Sequence, residues 1–219
     1  MNKKNKSGTV FMSLGLVLLV FAIGLAAYNL WSEQNAGRKS GEIVRLLSDE
    51  TAETSDGDEV VNYMGHEPYV ENTYEEDAPM YMLFPEMEMP SKTIYGRDYI
   101  GVLYIDELGL KLPVLSELTY PGLRLSPCRY KGSAYEGNLI IAAHNYKTHF
   151  GNIKNLTPGS VVRLIDIDNN EFIYAVQTME TLPGTAIEEM EAGDWDLSLF
   201  TCNYGGTARI TVRCNLEMD

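Results

Sequence analysis

Three side chains in this sequence have the types needed for acyl transfer through a covalent intermediate. Cys202 ends the apolar run LSLFTC, His144 follows the apolar run NLIIAA, and Arg209 opens the alternating segment RITVRC. A thiolate is a good nucleophile, but a free cysteine is mostly protonated at neutral pH. A neighbouring imidazole can take that proton or stand as imidazolium beside the thiolate. Attack on a peptide carbonyl develops an oxyanion. A fixed guanidinium can stabilise it or hold the substrate backbone with charge-assisted hydrogen bonds. The imidazole then protonates the leaving amine. The product is a thioester. Resolution by water makes a protease, and resolution by an amine makes a transpeptidase.

The elements that would position these groups can be read from strand alternation. In LSLFTC, Leu197, Leu199 and Thr201 share one face, while Ser198, Phe200 and Cys202 share the other. If the leucines face a core, Cys202 faces a groove. In RITVRC, Ile210 and Val212 point one way; Arg209, Thr211 and Arg213 point the other. If the two segments are neighbouring strands joined through NYGGTA, Arg209 lies near Cys202. His144 sits where a strand gives way to a loop, a place where the strand fixes the backbone and the loop admits substrate. Taken singly, each has a plainer reading: a buried inert cysteine, a structural histidine, a solvated strand arginine. His66 lies in an acidic stretch and reads as inert. Cys128 and Cys214 either pair as a disulfide that leaves Cys202 free or serve as small buried apolar residues.

From Tyr99 onward, short apolar runs alternate with Gly, Asn, Asp and Pro, the pattern of an antiparallel sandwich or barrel. Asp168–Glu171 reads as a hairpin connection, and a short helix is expected around Phe150–Leu156. Ahead of this lies Val10–Leu30, almost wholly apolar and preceded by Lys3, Lys4 and Lys6. A run of about 20 such residues spans a bilayer as a helix, with the lysine-rich end cytoplasmic. A cleaved signal peptide is the competing reading. The expected division is residues 1–9 cytoplasmic, 10–31 a transmembrane anchor, 32–95 an acidic extracytoplasmic linker, and 96–219 the catalytic domain. That domain is expected to be extracellular on a single-pass membrane protein. Between Asp49 and Asp77 there are many carboxylates and no Lys or Arg, so that stretch reads as a self-repelling spacer. The chain has 219 residues and a net charge of -14, which argues against nucleic acid as a partner. No cofactor or metal is expected; calcium has no ligand spacing behind it.

The residues from about Tyr99 to Cys214 resemble the sortases of Gram-positive bacteria. YIGVLYIDELGLKLPV is similar to the family's opening strands. SPCRYKGSAYEGNLIIAAHNY is similar to the approach to its catalytic histidine, LSLFTC to its TLxTC signature, and RITVR to its arginine strand. FGNIKNLTPGSVV matches the run after the histidine. Ala143 stands where the family commonly has Gly, and Phe200 precedes Thr201-Cys202. The N-terminal anchor and the short connection before Arg209 look more like class D or related clostridial-type members than class B.

The resemblance implies a closed eight-stranded β-barrel with short helices behind one transmembrane helix. It assigns catalysis to His144, Cys202 and Arg209, with Thr201, Ala143 and Asn145 contacting substrate. It implies cleavage of an LPxTG-like sorting signal on surface proteins or pilins, and transfer to an amine of a cell-wall precursor or a pilin lysine. The loop from about Pro183 to Asp194 would contact the sorting motif, and its acids (Glu188, Glu189, Glu191, Asp194) would favour a basic residue there. Two alternatives stand beside it: a membrane-tethered cysteine endopeptidase that needs the same residues, and a non-catalytic cell-surface binding domain in which Cys202 could become Ala without consequence.

Overall fold

A computed structural model describes residues 6–49 and 78–217. A long helix, α1 (Lys6–Asp49), is followed by a short one, α2 (Met80–Leu83), and then by strands β1 (Lys92–Ile94), β2 (Arg97–Ile105) and β3 (Leu110–Leu115). Helix α3 (Tyr120–Leu123) leads to β4 (Cys128–Lys131) and β5 (Leu139–Ala143). A single 3-10 turn at Ile153–Asn155 fulfils the short helix expected there, and β6 (Val161–Asp166) and β7 (Glu171–Pro183) follow. Helix α4 (Ile187–Glu191), β8 (Leu197–Cys202) and β9 (Ala208–Leu216) complete the chain.

The strands pair in the order β1-β2-β3-β4-β5-β8-β9-β7-β6, and β6 pairs back onto β2. Strands β2 to β9 therefore close an eight-stranded barrel, as the resemblance implied. β1 is a hairpin extension on the first residues of β2. Gly101 is the point of closure. There β2 shifts register against β3 and begins pairing with β6. A Cβ at Gly101 would lie 2.2 Å from the Ile165 carbonyl oxygen, so only glycine lets the two backbones approach this closely.

β6 and the first half of β7 bury every second residue, with Val162, Leu164, Phe172, Tyr174 and Val176 inside. The antiparallel expectation fails at two seams: β3 runs parallel to β4, and β5 parallel to β8. A parallel neighbour needs a long crossover, and the crossover from β5 to β8 carries β6, β7 and α4.

Helix α1 changes character along its 44 residues. From Val10 to Trp31 the large apolar side chains are exposed, and this part is long and apolar enough to cross a membrane. Beyond it, Ala36, Ser40, Ile43, Val44 and Leu47 are buried, spaced three and four apart on one face. Ile43, Val44 and Leu47 pack against Ile94, Tyr99, Val102, Leu115 and Cys128. The linker expected from residue 32 is thus displaced: residues 32–49 continue the helix and dock on the barrel. Its other end also folds, with Tyr81 stacked on Tyr135 (centroids 4.6 Å apart) and Met89 buried in the core. The middle of that expected linker, residues 50–77 with His66, lies outside the described residues.

Candidate active site

β8 and β9 form an antiparallel pair in which Cys202 is the Cα partner of Arg209. The strand phase read from the sequence holds: Leu197 and Leu199 are fully buried in the core, while Phe200 and Cys202 are half-buried on the other face. The tight connection between the strands depends on Asn203. Its side-chain Oδ1 accepts hydrogen bonds from the Thr207 and Ala208 amides at 3.0 and 3.2 Å, and Gly206 supplies the positive φ of 68°.

His144 arrives from the other side of β8. The parallel register pairs Leu139 with Leu197 and ends at Ala143 with Thr201. His144 follows Ala143 just past the end of β5, and Cys202 follows Thr201 as the last residue of β8, so both come at the same end of this seam. Both, with Arg209, line one groove of about 340 Å³ whose other walls include Leu118, Tyr120, Leu123, Tyr130, Ala142, Ala143, Gly184, Ala186, Ile187, Met190 and Phe200. Phe200 and Tyr130 meet edge to face across its floor, with centroids 5.5 Å apart.

Burial holds the His144 imidazolium below its ordinary stability, and the positive charge of Arg124 adds to this, so its pKa is lowered. A neutral imidazole is the form that can accept a thiol proton. Arg209 donates from Nη1 to the carbonyls of Gly206 and Ala208 at 3.2 and 3.4 Å. These contacts leave most of its five donors for a ligand.

The structure moves two of the residues expected to contact substrate. Thr201 is 2% exposed, and its hydroxyl donates to the Ala143 carbonyl at 2.8 Å. It ties β8 to β5 beneath the groove rather than lining it. Asn145 lies in the half-exposed loop after His144 and is not among the lining residues. Ala143 does line it. The Pro183–Asp194 loop also lines the groove, but with Gly184, Ala186, Ile187 and Met190 rather than its acids. Glu191 pairs with Lys131 at 2.5 Å, so the expected preference for a basic substrate residue loses its basis in that carboxylate.

Cys128 and Cys214 are unpaired and buried in separate parts of the core. Burial raises both thiols, to about 11 and about 12, far from a reactive range. The alternative of a disulfide between them is not what the fold adopts. Among the described residues, no three His, Cys, Asp or Glu side chains converge as a metal-ligand group.

The strand pattern missed how α1 reaches the loop after His144. The Ser32 hydroxyl lies 3.3 Å from the Tyr146 hydroxyl, and the Glu33 carboxylate accepts from the Lys147 amide at 2.6 Å. The Thr148 hydroxyl donates to the Glu33 carbonyl at 3.3 Å. The Tyr146 ring in turn lies tilted between those of His144 and His149, at centroid distances of 5.0 and 5.6 Å. The one available signal was the three-and-four spacing of Ala36, Ser40, Ile43, Val44 and Leu47 just past the apolar run.

A family model described as the sortase domain matches residues 103–217. Among solved structures, a sortase D5 transpeptidase from Clostridium perfringens is 18% identical, with a TM-score of 0.51 over 65% of this chain and 91% of that one. The sortase C of Streptococcus pneumoniae is 18% identical, with a TM-score of 0.50 over 58% and 72%. A sortase C from Clostridium perfringens SM101 is 24% identical, with a TM-score of 0.48 over 56% and 71%. No curated protein sequence matches the chain. The first two of these likenesses speak to the fold alone, and they agree with the closed barrel described above. With the family model covering more than half of its residues, this chain belongs to the sortase family.

Proposed function

We propose that the chain is a membrane-anchored cysteine transpeptidase in which Cys202 is the nucleophile, His144 the general acid and base, and Arg209 the charge clamp. The observation that supports this most directly is the convergence of the three side chains on one groove of about 340 Å³. The Cys202 thiol gives its proton to His144, and the sulfur attacks the scissile carbonyl of an LPxTG-like sorting signal. The oxyanion forms near Arg209, whose free donors stabilise it. His144 protonates the departing amine, and the acyl group remains on Cys202 as a thioester. An incoming amine, from a cell-wall precursor or a pilin lysine, gives its proton to His144, attacks the thioester and restores the thiol.

The apolar walls from Leu118, Ile187, Met190 and Phe200 suit the leucine and proline of such a signal. Sorting-signal-bearing surface proteins or pilins are therefore the proposed clients. The apolar part of α1 is the proposed anchor, with its lysine-rich end cytoplasmic and the barrel extracellular.

Product analysis tests the reading. Incubation with a sorting peptide and several amines should give an amide product whose yield rises with amine concentration, and a Cys202 thioester visible by mass spectrometry. Hydrolysis unaffected by any amine would instead make the chain an endopeptidase.

A further inference from the structure

A second cleft, of about 470 Å³, lies where α1 leaves its apolar segment and meets the barrel. Tyr28 and Trp31 form one rim; Lys39, Arg97 and Arg124 supply three positive charges. No carboxylate lines it. Three cations together are unexpected by composition, since the chain holds 31 acidic and 17 basic residues. Among the described residues, none of the three makes an ion pair or a side-chain hydrogen bond, whereas Lys131, Arg163 and Arg213 all do. Ser32 and Asn35 add neutral polar groups to the wall.

We infer that this cleft binds the phosphate of a lipid headgroup in the outer membrane leaflet. The inference rests on the reading of α1 as a membrane anchor. In that reading Tyr28 and Trp31, at the end of the apolar run, stand at the membrane–water boundary where amphipathic rings settle. The cleft then opens at headgroup level, and its charges meet the one anionic group common there. Cations near an anionic membrane surface each strengthen attachment, and a guanidinium fork matches phosphate geometry. Tyr120 lines both this cleft and the catalytic groove. A bound headgroup would therefore hold the groove at a fixed height and orientation above the bilayer.

The test uses the full chain in neutral detergent micelles, with Trp195→Phe so that Trp31 is the only indole. Titration with dihexanoyl phosphatidylglycerol should give a saturable change in Trp31 fluorescence. Dihexanoylglycerol, which lacks the phosphate, should give none, and glycerol phosphate should need far higher concentrations. Lys39→Gln with Arg97→Gln should raise the half-saturating lipid concentration about 25-fold, from about fivefold per cation. Lys39→Arg with Arg97→Lys should keep binding and so exclude misfolding as the cause. An equal response to dihexanoylglycerol, or no effect of the charge removal, would overturn the inference. An equal response to glycerol phosphate would make the cleft a soluble-anion site and overturn the lipid assignment. Flotation of the unmodified chain with phosphatidylcholine vesicles reads the anchor separately, so failure of that reading is distinguishable from failure of this one.

Discussion

Arg209 and Arg213 stand on one face of β9, opposite Cys202 and Ser198 on β8. Their surroundings differ completely. Arg213 is 2% exposed and uses four of its five donors: Nε donates to Glu180 at 2.6 Å, Nη1 to the Met190 carbonyl and the Ser198 hydroxyl at 2.8 Å each, and Nη2 to the Glu189 carbonyl at 2.7 Å. Arg209 has two longer carbonyl contacts and opens onto the groove. One end of the strand pair spends its guanidinium on holding α4 against the barrel. The other keeps donors unspent beside a thiol. The two arginines share a strand face but differ in how many of their donors the chain itself uses.

The two histidines of the adjoining loop repeat the contrast. His144 borders the groove, whereas His149 is fully buried and neither ring nitrogen has an ordinary hydrogen bond among the described residues. Burial, reinforced by the nearby His144, pushes His149 down to about 4, with the Leu125 carbonyl offsetting only part of this.

The contrast between the two ends of β8 and β9 can be broken most sharply at Cys202. Cys202→Ala should abolish the acyl-enzyme adduct with a sorting peptide, measured by mass spectrometry, while Ser198→Ala should keep it. Next, Arg209→Ala should lower kcat/KM by about 10²–10³, as loss of an oxyanion donor does, with the thermal midpoint unchanged. Arg209→Lys should recover little, because an ammonium does not reproduce the planar fork. Arg213→Ala should do the reverse. It leaves Glu180 and the α4 carbonyls without their donor and should cost about 3–5 kcal/mol of folding stability by denaturant titration, with the remaining folded fraction active. A dead but stable Arg213→Ala beside a near-normal Arg209→Ala would invert the assignment.

Acid should expose His149. Its folded pKa of about 4 lies below the unfolded value of 6.5. Below pH 6.5 the unfolded chain therefore takes up the proton first, and stability should fall between pH 6.5 and pH 4 by up to about 3 kcal/mol. His149→Gln should flatten that slope; an unchanged slope would remove His149 as its source.

The smallest effects concern the supports of His144. Arg124→Gln should shift the acidic limb of the kcat/KM profile upward in pH, because the charge it removes lowers the His144 pKa. Glu33→Ala should reduce kcat several-fold, about what a positioning hydrogen bond contributes.

Much of the site was legible because strand alternation is local. The phase of LSLFTC put Leu197 and Leu199 inside and Cys202 outside, and the phase of RITVRC put Arg209 on the matching face. The same phase rule put Thr201 with the leucines, and the structure keeps it there, bonded to Ala143; the family signature alone had suggested a groove contact. The loop from Pro183 to Asp194 was legible as a wall of the groove but not in its chemistry. Which side of a one-turn helix faces inward depends on what it packs against, and Arg213 holds α4 by its Glu189 and Met190 carbonyls. The buried stripe of α1 was present in the sequence, but it followed an apolar run whose length dominated the reading.

By itself, the sequence determined the apolar span, the chemical types at 144, 202 and 209, and the faces of their strands. All of these follow from composition and short-range periodicity, which survive without a fold. Only the tertiary structure decided that His144 and Cys202 line one groove, since their parallel strands are joined through a crossover that no local pattern encodes. It also decided that Arg209 rather than Arg213 keeps donors open to the groove, and that α1 continues past the apolar run to grip the histidine loop. Those outcomes depend on barrel closure at Gly101 and on which polar groups find partners once the chain is packed.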